Sequence, residues 1–177
     1  MVKPLVFNGC FIHTINGKLE ILENMYVTVE DGKIKSISET KPEGEYELIN
    51  TTKTQIIIPG LVDAHIHAAQ YTYCGCGFDI PLLSWLNKYA FPHESKLSDP
   101  EFASRVYNTV VKRTLALGTT TASYFATIDV NSTIILANAC RHHGQRSFVG
   151  KVTMDRDSPD YYIEKSTEDA LNNEREF

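Results

Sequence analysis

Residues 56–70 read IIIPGLVDAHIHAAQ, and the chain is arranged around this stretch. Three β-branched residues run into a Pro59-Gly60 turn. The apolar Leu61 and Val62 then open a strand that delivers Asp63, His65 and His67 in alternation. Residues i and i+2 of a strand project from one face, roughly 6–7 Å apart along the chain. His65 and His67 are therefore expected to aim two imidazoles at one point, while Ile66 packs the other way. Two neutral imidazoles on a rigid strand make half of a first-row metal site, with Zn–N distances of about 2.0–2.1 Å. A His-x-His pair by itself also fits two partly buried polar side chains at a strand end. The apolar strand, the Pro-Gly turn, the aspartate and the small residues after His67 favour the metal.

The flanking sequence changes rhythm on either side of this stretch. Before it, β-rich runs are separated by Asn8-Gly9, Asn16-Gly17 and Asp31-Gly32, which are strong hairpin signals. They predict a small antiparallel sheet over residues 1–58, with His13 as an ordinary surface histidine. After it, the strand at 61–67 leads through a Gly/Cys-rich loop to a short helix across 82–89. Ser98-Asp99-Pro100-Glu101 opens a helix that Gly118 closes. Thr119-Thr120-Thr121 begins a second strand through Phe125. Asn131 or Ser132 caps a second helix ended by Gly144, a third strand covers 147–154, and Ser166 starts a last helix.

This βαβαβ order over residues 59–177 argues for parallel strands with right-handed crossovers. Periodicity does not separate an open doubly wound sheet from a barrel. No G-x-G-x-x-G marks the first strand-to-helix turn, which argues against a dinucleotide. A histidine pair at the C-terminal end of a strand suits a (β/α)₈ barrel, whose active sites gather on that face. A whole barrel takes about 250 residues and three strands are legible here, so the chain is expected to be a truncated piece, a fragment or a short isoform.

The chain has 177 residues, 42% hydrophobic and 22% charged, with a net charge of −5. That balance argues against a nucleic-acid or anionic-membrane partner, and no run approaches the 18 apolar residues of a membrane span. The opening MVKPLVFNGC lacks the apolar region of a secretory leader. The expected location is therefore the cytosol, with its four cysteines reduced. Cys74-Gly75-Cys76 has a C-x-C spacing that fits a zinc knuckle poorly.

PGLVDAHIH resembles the first barrel strand of the amidohydrolase superfamily. FDIPLLSWLNKYAFPHE at 78–94, RTLALGTTTASYFATI at 113–128 and GQRSFVGKVTMD at 144–155 extend the likeness. Together they resemble the guanine deaminase family of animals and fungi, over nearly all of residues 5–177. The resemblance implies an α/β fold, the N-terminal part of a TIM-like amidohydrolase barrel preceded by a small β-sandwich-like composite domain. It implies hydrolytic deamination of guanine to xanthine and ammonia by a metal-activated water, one zinc per active site, and a homodimer. His65 and His67 correspond to metal ligands, and His67, Ala68, Ala69 and Gln70 to the segment that touches the purine. The remaining ligands and the proton shuttles of the family lie beyond Phe177, so no catalytic acid or base is assigned in this chain.

Asp63 either orients an imidazole or bonds backbone, and the structural role is favoured. His93 reads as a loop histidine, His142 and His143 as a helix end, and Tyr71, Phe78 and Trp85 as packing or pocket walls. The alternatives are another amidohydrolase acting on an amino-heterocycle, or a non-catalytic fragment with an open sheet edge. A cytidine-type zinc deaminase is excluded, because no H-x-E with P-C-x-x-C occurs.

Overall fold

The computed structural model describes residues 3–177, and the chain divides between Pro59 and Gly60 into two compact units. In the first, β1 (Leu5–Ile15), β2 (Lys18–Glu30) and β3 (Lys33–Ser38) form an antiparallel meander. Its two turns are Asn16-Gly17, at φ 52° and 74°, and Asp31-Gly32, at φ 51° and 73°. Paired positive φ values are what the tightest hairpins demand.

Two sequence expectations change here. The sheet is mixed, because β4 (Glu47–Asn50) and β5 (Ile56–Ile57) return along the free edge of β1 in parallel. Asn8-Gly9 is not a turn. β1 runs straight through it with a bulge between Gly9 and Phe11, and the Asn8 side chain donates to the Met25 carbonyl at 3.1 Å. Gly9 lies where Thr51 packs, so a Cβ there would overlap the Thr51 hydroxyl. The glycine answers a close approach rather than a reversal.

The second unit carries the parallel sheet: β6 (Leu61–His67), β7 (Thr119–Phe125) and β8 (Arg146–Gly150), in that order. Its strands are connected through α3 (Pro100–Ala116) and α4 (Val130–His143). The core joins Ala103, Tyr107 and Val111 of α3 with Ala122 and Tyr124 of β7 and Leu136 and Cys140 of α4. Both buried tyrosines find partners, as such hydroxyls must. Tyr107 shares a hydrogen bond with the Ser132 hydroxyl at 3.0 Å, and Tyr124 donates to Gln145 Oε1 at 3.0 Å.

The start of α3 falls within the expected Ser98–Glu101 motif, whereas α4 starts just before the expected Asn131 or Ser132. Asp99 caps α3, accepting from the amides of Glu101 and Phe102, and Asp129 caps α4, accepting from Ser132. A short carboxylate reaches the amides two or three residues on, which places each cap upstream of the following turn. The third strand is shorter than expected. Past Gly150 the chain leaves the ladder, with Val152 donating to Thr127 at 3.1 Å and Lys151 turning into an ion pair with Glu164 at 2.7 Å.

Residues 82–98 are almost continuously helical: α1 (Leu82–Trp85), a π turn (Leu86–Ala90), α2 (Phe91–Glu94) and a 3₁₀ turn (Ser95–Ser98). The segment Phe91-Pro92-His93-Glu94, expected as a loop, is helical because Pro92 sits in the first turn of α2, where its missing N–H is tolerated. His93 is accordingly held, its Nδ1 at 2.7 Å from the Tyr89 carbonyl. The last helix, α5 (Thr167–Glu176), begins at Ser166 as expected. No helix among the described residues is long and apolar enough to cross a membrane.

Gly60 is the residue at which the chain enters β6. A Cβ at this position would overlap the Thr120 hydroxyl and methyl and lie 2.7 Å from Thr120 Cβ. Gly60→Ala is therefore predicted to destabilise the fold by about 1–3 kcal/mol. Urea denaturation should show a lowered midpoint, partly restored by adding Thr120→Ala; an unchanged midpoint would contradict the close approach.

Candidate metal and substrate site

His65 and His67 sit at the C-terminal end of β6, and the ladder around them is irregular. Asp63 pairs with Ala122 and Ile66 with Tyr124, so β6 holds one more residue than β7 between these pairs. A bulge of this kind re-aims side chains. The two rings nevertheless converge, with His65 Nε2 and His67 Nε2 3.2 Å apart. Ile66 packs against the core on the other side. Asp63 takes the structural role, its carboxylate accepting from the His65 backbone amide at 3.1 Å.

Phe125 closes one side of the pair. Its ring centroid lies 4.5 Å from that of His65 and 5.0 Å from that of His67, nearly parallel to the latter at 16°. Burial, and then the proximity of His65, push the His67 pKa down. This favours the neutral imidazole, the form that ligates metals. Two Zn–N bonds of about 2.0–2.1 Å at a tetrahedral angle put their nitrogens roughly 3.3 Å apart. The observed 3.2 Å fits two corners of one ion's coordination shell. The same distance also fits a hydrogen bond between the two rings, with one nitrogen donating and the other accepting. The pair is a partial donor set, since no group of three His, Cys, Asp or Glu side chains converges among the described residues.

The chain after His67 winds into a 3₁₀ turn, Ala68–Tyr73. Ala68 and Ala69 are fully buried and belong to the core cluster with Leu97, Ala103 and Tyr107. Their small size is explained by that packing. Gln70 is half-buried, and Tyr71 is exposed. The turn is fastened at its far end. The Tyr73 hydroxyl donates to Glu94 Oε1 at 3.2 Å, and the Tyr162 hydroxyl donates to Glu94 Oε2 at 2.9 Å. One carboxyl thus ties the turn after β6 to α2 and to the segment after β8.

Burial raises the pKa of Glu94 against the two hydroxyls, which favour its ionised form. Burial and the Glu94 charge also raise the pKa of both tyrosines, which keeps them as donors. The sequence reading missed Phe125, Glu94 and Tyr162. The available signal was positional: Phe125 ends a strand of the same sheet, whereas nothing local links Glu94 with a tyrosine 68 residues away.

The other residues weighed from sequence lie elsewhere. Phe78 is 90% exposed. His143 pairs with Asn108 Oδ1 at 2.8 Å, edge-on to His142.

Glu94 yields a pH prediction. Its folded pKa lies above the ordinary value of 4.5, so the folded state binds more protons than the unfolded state across that interval. Its contribution to stability is fully present below about 4.5 and is lost as pH rises through the folded value. Denaturant unfolding from pH 4 to 8 should show this fall, and Glu94→Gln should flatten it. A rise in the Glu94 contribution over the same range would contradict the assignment.

A family model for the amidohydrolase family matches residues 56–177. The guanine deaminase of Dictyostelium discoideum is 42% identical over 191 residues, covering 97% of this chain and 42% of that one. The crystal structure of guanine deaminase from C. acetobutylicum with bound guanine superposes with a TM-score of 0.86 at 39% identity, covering 98% of this chain and 42% of that one. An adenosine deaminase from Xanthomonas campestris with bound zinc shares the fold, with a TM-score of 0.74 at 23% identity over 95% of this chain and 37% of that one. The chain thus spans about two-fifths of the length of the guanine deaminases it matches. Its three parallel strands correspond to strands of the TIM-like barrel of these proteins. With the family model covering the parallel sheet and the histidine pair at the end of β6, the chain belongs to the amidohydrolase family.

Proposed function

We propose that this chain serves the hydrolytic deamination of guanine to xanthine and ammonia, with His65 and His67 as two ligands of one divalent cation, zinc. The observation that carries the reading is the 3.2 Å convergence of two imidazole nitrogens at the end of β6, in a chain 42% identical to a guanine deaminase. A cation held there supplies Lewis-acid activation of water, lowering its pKa toward about 7. Residues 67–70 lead from the ligand strand to the substrate: His67 bounds the purine, Ala68 and Ala69 keep the backbone close, and Gln70 reads its edge. An amide side chain both donates and accepts, which matches the adjacent acceptor and donor groups of guanine. Phe125 holds the rings in place, and the Tyr73–Glu94–Tyr162 junction holds the turn that carries Gln70.

In the same reading, residues 1–58 belong to a small β-sandwich-like composite domain, and the enzyme works as a homodimer in the cytosol. Its net charge of −5 suits a small neutral substrate and gives no long-range attraction for nucleic acid or an anionic membrane.

The test is guanine turnover, followed at the absorbance of xanthine, with metal content measured on the same sample. Zinc is expected to bind through both histidines, and His65→Ala or His67→Ala should each weaken it at least about tenfold in equilibrium titration. In any chain that carries this sequence and turns over guanine, Gln70→Ala should raise KM for guanine about tenfold, as a lost pair of hydrogen bonds implies. Turnover without metal, or turnover indifferent to His65→Ala, would overturn the metal assignment. Preference for another amino-heterocycle over guanine would overturn the substrate.

A further inference from the structure

The four free cysteines occupy different settings. Cys140 is buried, and burial pushes its thiol pKa up, while Cys10 is half-buried within β1. Cys74 and Cys76 are both exposed and stand two positions apart. They belong to one hydrogen-bonded turn, in which the Cys76 amide donates to the Tyr73 carbonyl at 3.1 Å. Cys74 has φ −54° and ψ 129°, and Gly75 has φ +85°. These are the angles of a type II turn, whose third position requires the positive φ that glycine adopts freely. Two trans peptide steps bent at Gly75 bring the flanking Cα atoms to about 5–6 Å, inside the range that a disulfide spans. No third His, Cys, Asp or Glu joins the two thiols among the described residues, so the donor set is poor for a metal and sufficient for exchange chemistry.

We propose that Cys74 and Cys76 form a reversible thiol–disulfide exchange site that low-molecular-weight disulfides oxidise to an internal disulfide. One cysteine thiolate attacks a sulfur of the small disulfide, and one small thiolate leaves as the mixed disulfide forms. The second cysteine thiolate attacks the protein sulfur of that mixed disulfide. The Cys74–Cys76 bond forms and the second small thiolate leaves. The protein dithiol gives up two electrons and two protons, and the small disulfide takes both to become two thiols. A ring closed across a single glycine is strained as well as exposed. Disulfides of that kind have the more oxidising potentials and reopen readily.

The turn is wired to an optical reporter. Trp85, the single tryptophan of the chain, donates its indole N–H to the Cys76 carbonyl at 2.9 Å. Its ring lies 5.4 Å from that of Tyr73. Closing the ring between Cys74 and Cys76 acts on the peptide group that holds the indole. It also acts on the end of the 3₁₀ turn that carries Gln70.

The purified chain is to be equilibrated in reduced and oxidised glutathione at stepped ratios, quenched by alkylation and analysed by mass spectrometry, with tryptophan fluorescence on the same samples. The expected result is loss of two alkylation sites, both in the peptide carrying Cys74 and Cys76, which becomes lighter by two hydrogens. Trp85 emission should change at the same midpoint. Cys74→Ser and Cys76→Ser should each abolish the internal disulfide and leave only a glutathione adduct on the remaining thiol. A chain with Cys10→Ser and Cys140→Ala should behave like the original. Glutathione adducts on both cysteines without an internal bond, disulfide-linked pairs of chains, or no oxidation at any ratio would each overturn the proposal. An internal disulfide formed without change at Trp85 would overturn its coupling to the turn. The readout involves no guanine turnover, so its outcome is independent of the deaminase reading.

Discussion

The parallel ladder between β6 and β7 supports everything that matters in the second unit. It begins where Leu61 donates to the Gly118 carbonyl at 2.8 Å and ends where His67 stands opposite Phe125. Parallel pairing requires a crossover, and α3 supplies it while covering the sheet face on which Ala122 and Tyr124 are buried. Because that face is packed, the register cannot slip by one residue without exposing the core. The imidazoles are therefore held at the strand end by the same packing that stabilises the unit.

Buried polar groups, rather than further strands, secure the loops that leave this sheet. Glu94 accepts from two tyrosine hydroxyls that come from different connections. Lys151 and Glu164 form an ion pair with side chains 0% and 3% exposed. The Lys151 amine also donates to the Val152 carbonyl, and Asn173 donates to the same Glu164 oxygen. A buried pair adds little net stability over an apolar one, but removing one partner strands a charge at a cost of about 3–5 kcal/mol. Such pairs specify one loop conformation more than they strengthen the fold. The side of the sheet where β6 ends thus has a defined shape near the histidines.

Legibility followed the range of the interaction. The hairpins at Asn16-Gly17 and Asp31-Gly32, the helix ends at Gly118 and Gly144, and the βαβαβ order all rest on contacts within a few residues, and all were readable. Asn8-Gly9 misled because its glycine serves a contact with Thr51, 42 positions away in the chain. The helical path through Phe91-Pro92 misled because proline is permitted in a first turn, and only the neighbouring π turn shows that a first turn exists there. The packing of Ala68 and Ala69 into the core with Ala103 and Tyr107 of α3 was likewise not legible locally, because α3 lies in a different connection.

Two histidines on one strand, a chain of modest negative charge and a βαβαβ order were determined by the sequence alone, because strand periodicity and turn chemistry are local properties. The β6 bulge, the Phe125 ring against the imidazoles and the Tyr73–Glu94–Tyr162 junction were decided only by the tertiary structure. Each depends on which distant segment is brought alongside, and that choice is made by the burial of the whole core. Periodicity predicted that the two rings would meet. The 3.2 Å between their nitrogens is a property of the assembled sheet, in which a bulged strand is pressed against its neighbour.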